Sequence, residues 1–445
     1  MKKSRLISMI LAVLTVFSII SPAALAVGKP ELSSSECVII GEPESGDILF
    51  EKNSDEKREP ASLTKMMTLL LAVEAVEAGK VSLSDTVTAS KNCRSDLTDD
   101  SSNAQIYSGE RMSLNDLLYC AALASANEAC NIIAEYLGGS IPEFVGMMNR
   151  KAEELGCKGT HFANTHGLPD ENHYSTARDL YTIACEGMRH GLFRELVGTA
   201  EHTAAATNAS SERALRNSNA LICQKSPYGD DYFYEDAVGI KTGHTNNAGF
   251  CLASCAVKNG VTLIAVVLGA KGDMAKGEYF DNFADSRSLL DWAFTSYRKA
   301  ALIIEGENLG THAVSYGERK GEMQLSAGGS IECLLPKDTD LSAVKKELEL
   351  EHDGLVPEGH KVGTLTLRAS DGKVYGTVPV ISGKTVLESP EPVQTEAPDK
   401  TEGGILSVWE NMDYSHQTAI VLMLAVILVF IFVVIFALKR RRKQK

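Results

Sequence analysis

Leu63, Met66, Met67, Leu70, Val73 and Val76 recur at the spacing of one helix face, and Gly79 stands just beyond them. The spacing predicts a helix that opens at Ser62. The same period predicts helices over residues 114–124, 128–137 and 286–300, the last with Leu289, Leu290, Ala293, Phe294 and Tyr297 on one face. Strand-like runs lie at both ends of this helical block. Residues 37–40 and 47–50 flank a Pro43–Gly46 turn. Residues 249–257 and 261–268 flank Asn259-Gly260, a dipeptide that favours a tight hairpin. Strands at both ends with helices between them predict an α+β domain. It would be one antiparallel sheet flanked by helices, with a helical insertion.

The pattern changes near residue 300. From 301 to 387 short strand-like runs alternate with Gly-containing turns, including a hairpin around Asp371-Gly372, so a small β-rich domain is expected. Residues 388–418 form an acidic, proline-containing linker. Residues 419–438 are an uninterrupted apolar run, long enough to cross a bilayer, followed by the basic tail 439–445. Positive charge stays on the cytoplasmic side, which places the preceding residues outside. Trp409 and Tyr414 suit the membrane interface. At the other end, Lys2, Lys3 and Arg5 precede a short apolar run and the small residues Ala24-Leu25-Ala26, the signature of a signal peptide over 1–26. The expected order is signal peptide, main domain 27–300, β domain, linker, transmembrane helix and tail. The protein would be anchored in the cell membrane with its catalytic domain extracellular.

Charge narrows the partners. The chain has 44 Lys+Arg against 58 Asp+Glu. Setting aside the nine cations of the two ends leaves 35 against 58, a balance of −23 outside the membrane. A nucleic-acid partner is excluded on that balance. The ten cysteines are scattered through apolar runs rather than clustered. Cys251 and Cys255 would share a strand ~13 Å apart, too far to bridge. Free, buried cysteines are therefore expected. No Cys/His grouping has zinc-site spacing, so neither metal nor cofactor is expected.

Three short segments carry the chemistry: Ser62-Leu63-Thr64-Lys65, Ser125-Ala126-Asn127 and Lys241-Thr242-Gly243. Ser62 at a helix start gains from the positive end of the helix dipole, and Lys65 lies one turn on, on the same face. A desolvated lysine has a lowered pKa and can take the serine proton. Ser125 and Asn127 fall at a junction between helices, where they can face a cleft or simply cap a helix. Residues 239–245 read as an edge strand, where Gly243 permits close approach and an extended peptide can pair.

The trio resembles that of penicillin-binding proteins and class A β-lactamases. The longer segments Ala61–Met67, Asn164-Thr165-His166-Gly167-Leu168 and Gly239–Thr245 resemble the D-alanyl-D-alanine carboxypeptidases, which are low-molecular-mass penicillin-binding proteins of a serine peptidase family. The likeness covers residues 30–300 well. It extends more loosely to 302–386, as at Lys361-Val362-Gly363-Thr364-Leu365. It implies a β-lactamase/transpeptidase-like fold acting on peptidoglycan stem peptides that end in D-Ala-D-Ala, with β-lactams as inhibitors. It also implies Ser62 as nucleophile, Lys65 as base and Ser125 as proton shuttle. Asn127, Lys241 and Thr242 would bind substrate, and the N–H groups of Ser62 and His244 would form an oxyanion hole.

Two features depart from the family pattern. Asn282 stands where an arginine is often found, although Arg287 is near, and a full membrane crossing replaces a surface-lying helix. Rival functions are a D-alanyl endopeptidase, a β-lactamase, and an inactive cell-wall-binding or sensor protein. A β-lactamase would need a Glu-x-x-x-Asn loop, which is missing where expected. His166 reads as a structural loop histidine, and the Asn208-Ala209-Ser210 sequon as chance.

Overall fold

The computed structural model describes residues 28–98, 101–273, 279–351 and 354–387, with Asp413, His416, Gln417 and Met423. Apart from those last four positions, the expected signal peptide, linker, span and tail lie outside the described residues. Among the described residues no helix is long and apolar enough to cross a membrane. Described residues up to Val386 belong to one compact unit, and Leu387 begins a second.

The first strands, β1 (Cys37–Gly41) and β2 (Ile48–Lys52), form a hairpin. Helix α1 (Lys65–Glu77) follows, entered through a 3-10 turn at Ala61–Thr64. A short ladder of β3 (Thr86–Thr88) and β4 (Arg111–Ser113) leads to α2 (Leu114–Ala122), α3 (Asn127–Gly138) and α4 (Ile141–Glu154). Helices α5 (Ala177–Arg189) and α6 (Gly191–Gly198) and a second ladder, β5 (Glu201–Ala204) with β6 (Arg213–Arg216), complete the insertion. The chain then returns as β7 (Ala237–Thr245), β8 (Gly249–Lys258) and β9 (Val261–Ala270), ending in α7 (Asp281–Ser296). The sheet order is β2-β1-β9-β8-β7, antiparallel throughout, with β7 at the edge.

Strand β9 shows why this sheet is apolar on both faces. Ile264, Val266 and Leu268 pack into the helical core, whereas Leu263, Ala265 and Val267 face the cluster under α7. Alternate residues of a strand point to opposite faces, so a sheet covered on both sides needs a continuous apolar run. Helix α1 is buried at every position from Lys65 to Val73. Its polar residues Lys65 and Thr68 must therefore find partners inside the protein.

The helix expected over 286–300 lies instead at Asp281–Ser296. Tyr297, which fits the helix period, begins strand β10 (Tyr297–Ile303) and pairs with Pro336 of β13. Two more sheets follow. Strand β10 pairs with β13 (Ile331–Pro336), and β11 (Asn308–Tyr316), β12 (Arg319–Ala327), β14 (Lys345–Leu350), β15 (Lys361–Arg368) and β16 (Val374–Leu387) form a sheet ordered β11-β12-β16-β15-β14. Their apolar cluster around Met323, Leu365 and Val380 is separate from the clusters on the main sheet.

Candidate active site

Lys65 opens α1 and is wholly buried. Its Nζ donates to Ser62 Oγ at 2.8 Å, Asn127 Oδ1 at 2.7 Å and the His166 carbonyl at 2.7 Å. An ammonium has three N–H donors, and here each has an acceptor. A neutral amine would keep two of these bonds and turn its lone pair toward the Ser62 hydroxyl. Burial favours that neutral form and pushes the Lys65 pKa down to about 8.

Ser62 sits within the 3-10 turn rather than in the first turn of the α-helix itself. The turn is held by Ala61, which has a left-handed φ of 47°. Gly167 packs against it so closely that a Cβ there would lie 1.8 Å from the Ala61 carbonyl oxygen. The 164–168 loop thus positions both the serine turn and the carbonyl that holds Lys65. Asn164 braces that loop, its Oδ1 accepting from the N–H groups of His166 and Gly167.

Ser125 lies between α2 and α3 in a left-handed conformation, φ 55°. A non-glycine residue there is uncommon, and such strain gathers at working sites. Asn127 begins α3, its N–H donating to the Ser102 carbonyl. The next residue, Glu128, is fully buried. Its Oε1 accepts from the N–H groups of Ala104 and Ile106, which pins the loop carrying Ser101 and Ser102.

Strand β7 supplies the far wall. Lys241 is buried, and its Nζ donates to the Thr242 carbonyl at 3.2 Å. Burial and the nearby Lys65 push its pKa down to about 7. The Thr242 hydroxyl lies 2.6 Å from Ser218 Oγ. The His244 ring stacks on Phe250 with centroids 4.1 Å apart, and burial lowers its pKa. A Cβ on Gly243 would meet the Ser62 nitrogen at 3.1 Å and the Pro60 carbonyl oxygen at 3.2 Å. This glycine therefore lets the strand lie against the serine turn, in addition to lining the cleft.

Ser62, Ser125, Asn127, Thr242, Gly243 and His244 share one cavity of about 630 Å³. The structure thus brings together the residues singled out in the sequence, with Lys65 and Lys241 behind the wall. Asn282 and Arg287 do not join them. Asn282 is buried with its Nδ2 toward the Cys251 carbonyl, and Arg287 donates to the Asp231 carbonyl. No described residue lining the cavity is an arginine, a lysine or a carboxylate.

Sequence reasoning missed Ser218, which lines the same cavity, and Asp96, which partners His166. Leu168 N–H donates to His166 Nδ1, so the ring proton sits on Nε2 and is donated to Asp96 Oδ2 at 3.1 Å. His166 is buried, has a partner that the sequence did not reveal, and touches Lys65 through its carbonyl. Neither Ser218 nor Asp96 stands in a periodic pattern or a recognisable motif.

A buried lysine hydrogen-bonded to a serine, beside an edge strand of an antiparallel sheet, defines a transpeptidase-like serine acyl-transfer fold. The chain matches the D-alanyl-D-alanine carboxypeptidase family over residues 23–272 and belongs to it. It is 35% identical over 350 residues to the D-alanyl-D-alanine carboxypeptidase DacF of Bacillus subtilis, covering 78% of this chain and 84% of that one. It is 31% identical to DacC of Escherichia coli over 82% of this chain and 84% of that one. Among solved structures, penicillin binding protein 5 from Haemophilus influenzae superimposes with a TM-score of 0.63 at 28% identity, over 80% of this chain and 98% of that one.

Proposed function

We propose that the chain is a serine-type D-Ala-D-Ala carboxypeptidase that removes the terminal D-alanine from peptidoglycan stem peptides through an acyl-enzyme on Ser62. The observation that carries this reading is the 2.8 Å contact between Lys65 Nζ and Ser62 Oγ, made by a lysine with no access to water.

Neutral Lys65 takes the Ser62 proton as Oγ attacks the carbonyl of the penultimate D-alanine. The N–H groups of Ser62 and His244 stabilise the resulting oxyanion. The proton passes through Ser125 to the nitrogen of the terminal D-alanine, and the C–N bond breaks. Asn127 holds the peptide backbone, and Thr242 with Lys241 behind it holds the terminal carboxylate. Gly243 lets the peptide lie along β7. Water then attacks the ester, gives its proton to Lys65 and releases the shortened peptide. β-Lactams acylate the same oxygen.

Family membership favours this reading over a β-lactamase, whose deacylating water needs a carboxylate, often signalled by a Glu-x-x-x-Asn loop that the sequence does not show where expected. The endopeptidase reaction uses the same steps on a cross-linked peptide and is the nearer rival. The expected signal peptide and the apolar run at 419–438 support a protein anchored in the cell membrane by a single C-terminal helix. Its catalytic domain then faces the wall, and the small β domain and linker set its height. Release of D-alanine from an acyl-D-Ala-D-Ala peptide tests the activity. No release, or faster turnover of penicillin than of peptide, refutes it.

A further inference from the structure

A substrate carboxylate entering this cleft meets hydroxyl groups rather than guanidinium groups. No described lining residue is a cation, and Lys65 and Lys241 are each at most 1% exposed. The position where relatives often carry an arginine holds Asn282, which is buried away from the cleft.

Ser218 offers a hydroxyl at the required place. Its Oγ is 2.6 Å from Thr242 Oγ1, and both residues line the cleft. The segment carrying it is fixed. Its N–H donates to the Leu123 carbonyl and its own carbonyl accepts from Ser226 Oγ. The flanking Asn217 and Asn219 are buried. Asn217 Nδ2 donates to the Thr199 carbonyl, and Asn217 Oδ1 accepts from Asn219 N–H. A hydroxyl on such a segment loses little freedom when it binds. Two hydroxyls in contact use one proton between them, so the pair keeps a second proton free to donate. Hydroxyl donors to a carboxylate make short, charge-assisted bonds, roughly twice as strong as neutral ones.

We propose that Ser218 is a substrate-binding residue. Its hydroxyl and that of Thr242 each donate to one oxygen of the C-terminal carboxylate of the D-alanyl peptide. The hydroxyl–hydroxyl contact gives way to these two bonds. This assignment rests on the carboxypeptidase reading above.

The test uses the full-length chain and two probes. Fluorescent penicillin carries a carboxylate and acylates the serine. An acyl-D-alanine boronic acid forms a reversible tetrahedral adduct on the serine but has no C-terminal carboxylate. In Ser218→Ala the rate of penicillin labelling falls about tenfold, while boronic acid affinity stays unchanged. With a D-Ala-D-Ala peptide the loss appears in KM rather than kcat. Ser218→Thr keeps the hydroxyl and restores labelling. Should Ser218→Ala not fold, Ser218→Cys, with a weak donor of similar shape, shows the same split. Equal loss on both probes, or no loss on penicillin, overturns the proposal. Wild-type protein that neither labels nor releases D-alanine refutes the carboxypeptidase reading instead.

Discussion

Lys65 Nζ lies 2.8 Å from Ser62 Oγ, and two further acceptors, Asn127 Oδ1 and the His166 carbonyl, complete its surroundings. Two acceptors for a neutral amine and a serine facing its lone pair make a base ready for one proton.

The pH dependence follows from burial. Lys65 has its pKa pushed down to about 8, so the neutral form that can act as base grows as pH rises toward that value. The rate of penicillin acylation rises with pH below about 8 and levels off above it. A rate that falls across that range contradicts the assignment. Lys65→Arg, which stays charged, lowers acylation on the order of a thousandfold.

Stability moves the same way. Both lysines have folded pKa values, about 8 and about 7, below the ordinary 10.5. From about pH 7 the unfolded chain binds more protons at these two lysines than the folded one, so stability rises with pH from about 7 to about 9, above which the buried thiols, protonated only in the folded chain, oppose it. Urea midpoints across this window, compared between wild type and Lys241→Met, read the contribution. Wild type has the steeper rise.

Gly167 is irreplaceable on steric grounds. Its φ is 94°, and an added Cβ would meet the Ala61 carbonyl oxygen at 1.8 Å. Gly167→Ala costs about 3 kcal/mol or more and lowers the urea midpoint along with penicillin labelling. Gly243→Ala, with a 3.1 Å contact to the Ser62 nitrogen, slows labelling more than it lowers the midpoint.

Asp96→Ala leaves His166 Nε2–H and Asn131 Nδ2 without their carboxylate acceptor. Asp96 is partly exposed, so water can replace some of the loss, and the cost is about 1 kcal/mol. An unchanged urea midpoint contradicts the role given to this contact.

All ten cysteines are free, nine of them buried and Cys185 half-buried. Burial pushes Cys37 up to about 11 and Cys251 up to about 12, so they are poor nucleophiles. A thiol count in denaturant without reductant gives ten, and the folded protein reacts slowly. A count of two or fewer contradicts this.

The Ser62–Lys65 pair was legible because the two residues are three positions apart across a helix entry, where a 3-10 turn running into an α-helix still brings i and i+3 side chains together. The Asn259-Gly260 hairpin and the β7 edge were legible from local turn and strand patterns. The helix proposed to run to residue 300 overran because Tyr297 satisfies the helical period but pairs with β13 instead. Local period cannot register a partner strand that lies far along the chain. Ser218 with Thr242, and Asp96 with His166, are joined only by tertiary packing across 24 and 70 positions. Neither pair has a local signature.

The most direct measurement of the central claim is peptide mass spectrometry of the full-length chain after incubation with penicillin, beside an assay of D-alanine released from a D-Ala-D-Ala peptide. The expected result is one penicilloyl group on Ser62, D-alanine release, and loss of both in Ser62→Ala with thermal stability nearly unchanged. Label on another residue, or D-alanine release that survives Ser62→Ala, would contradict the account.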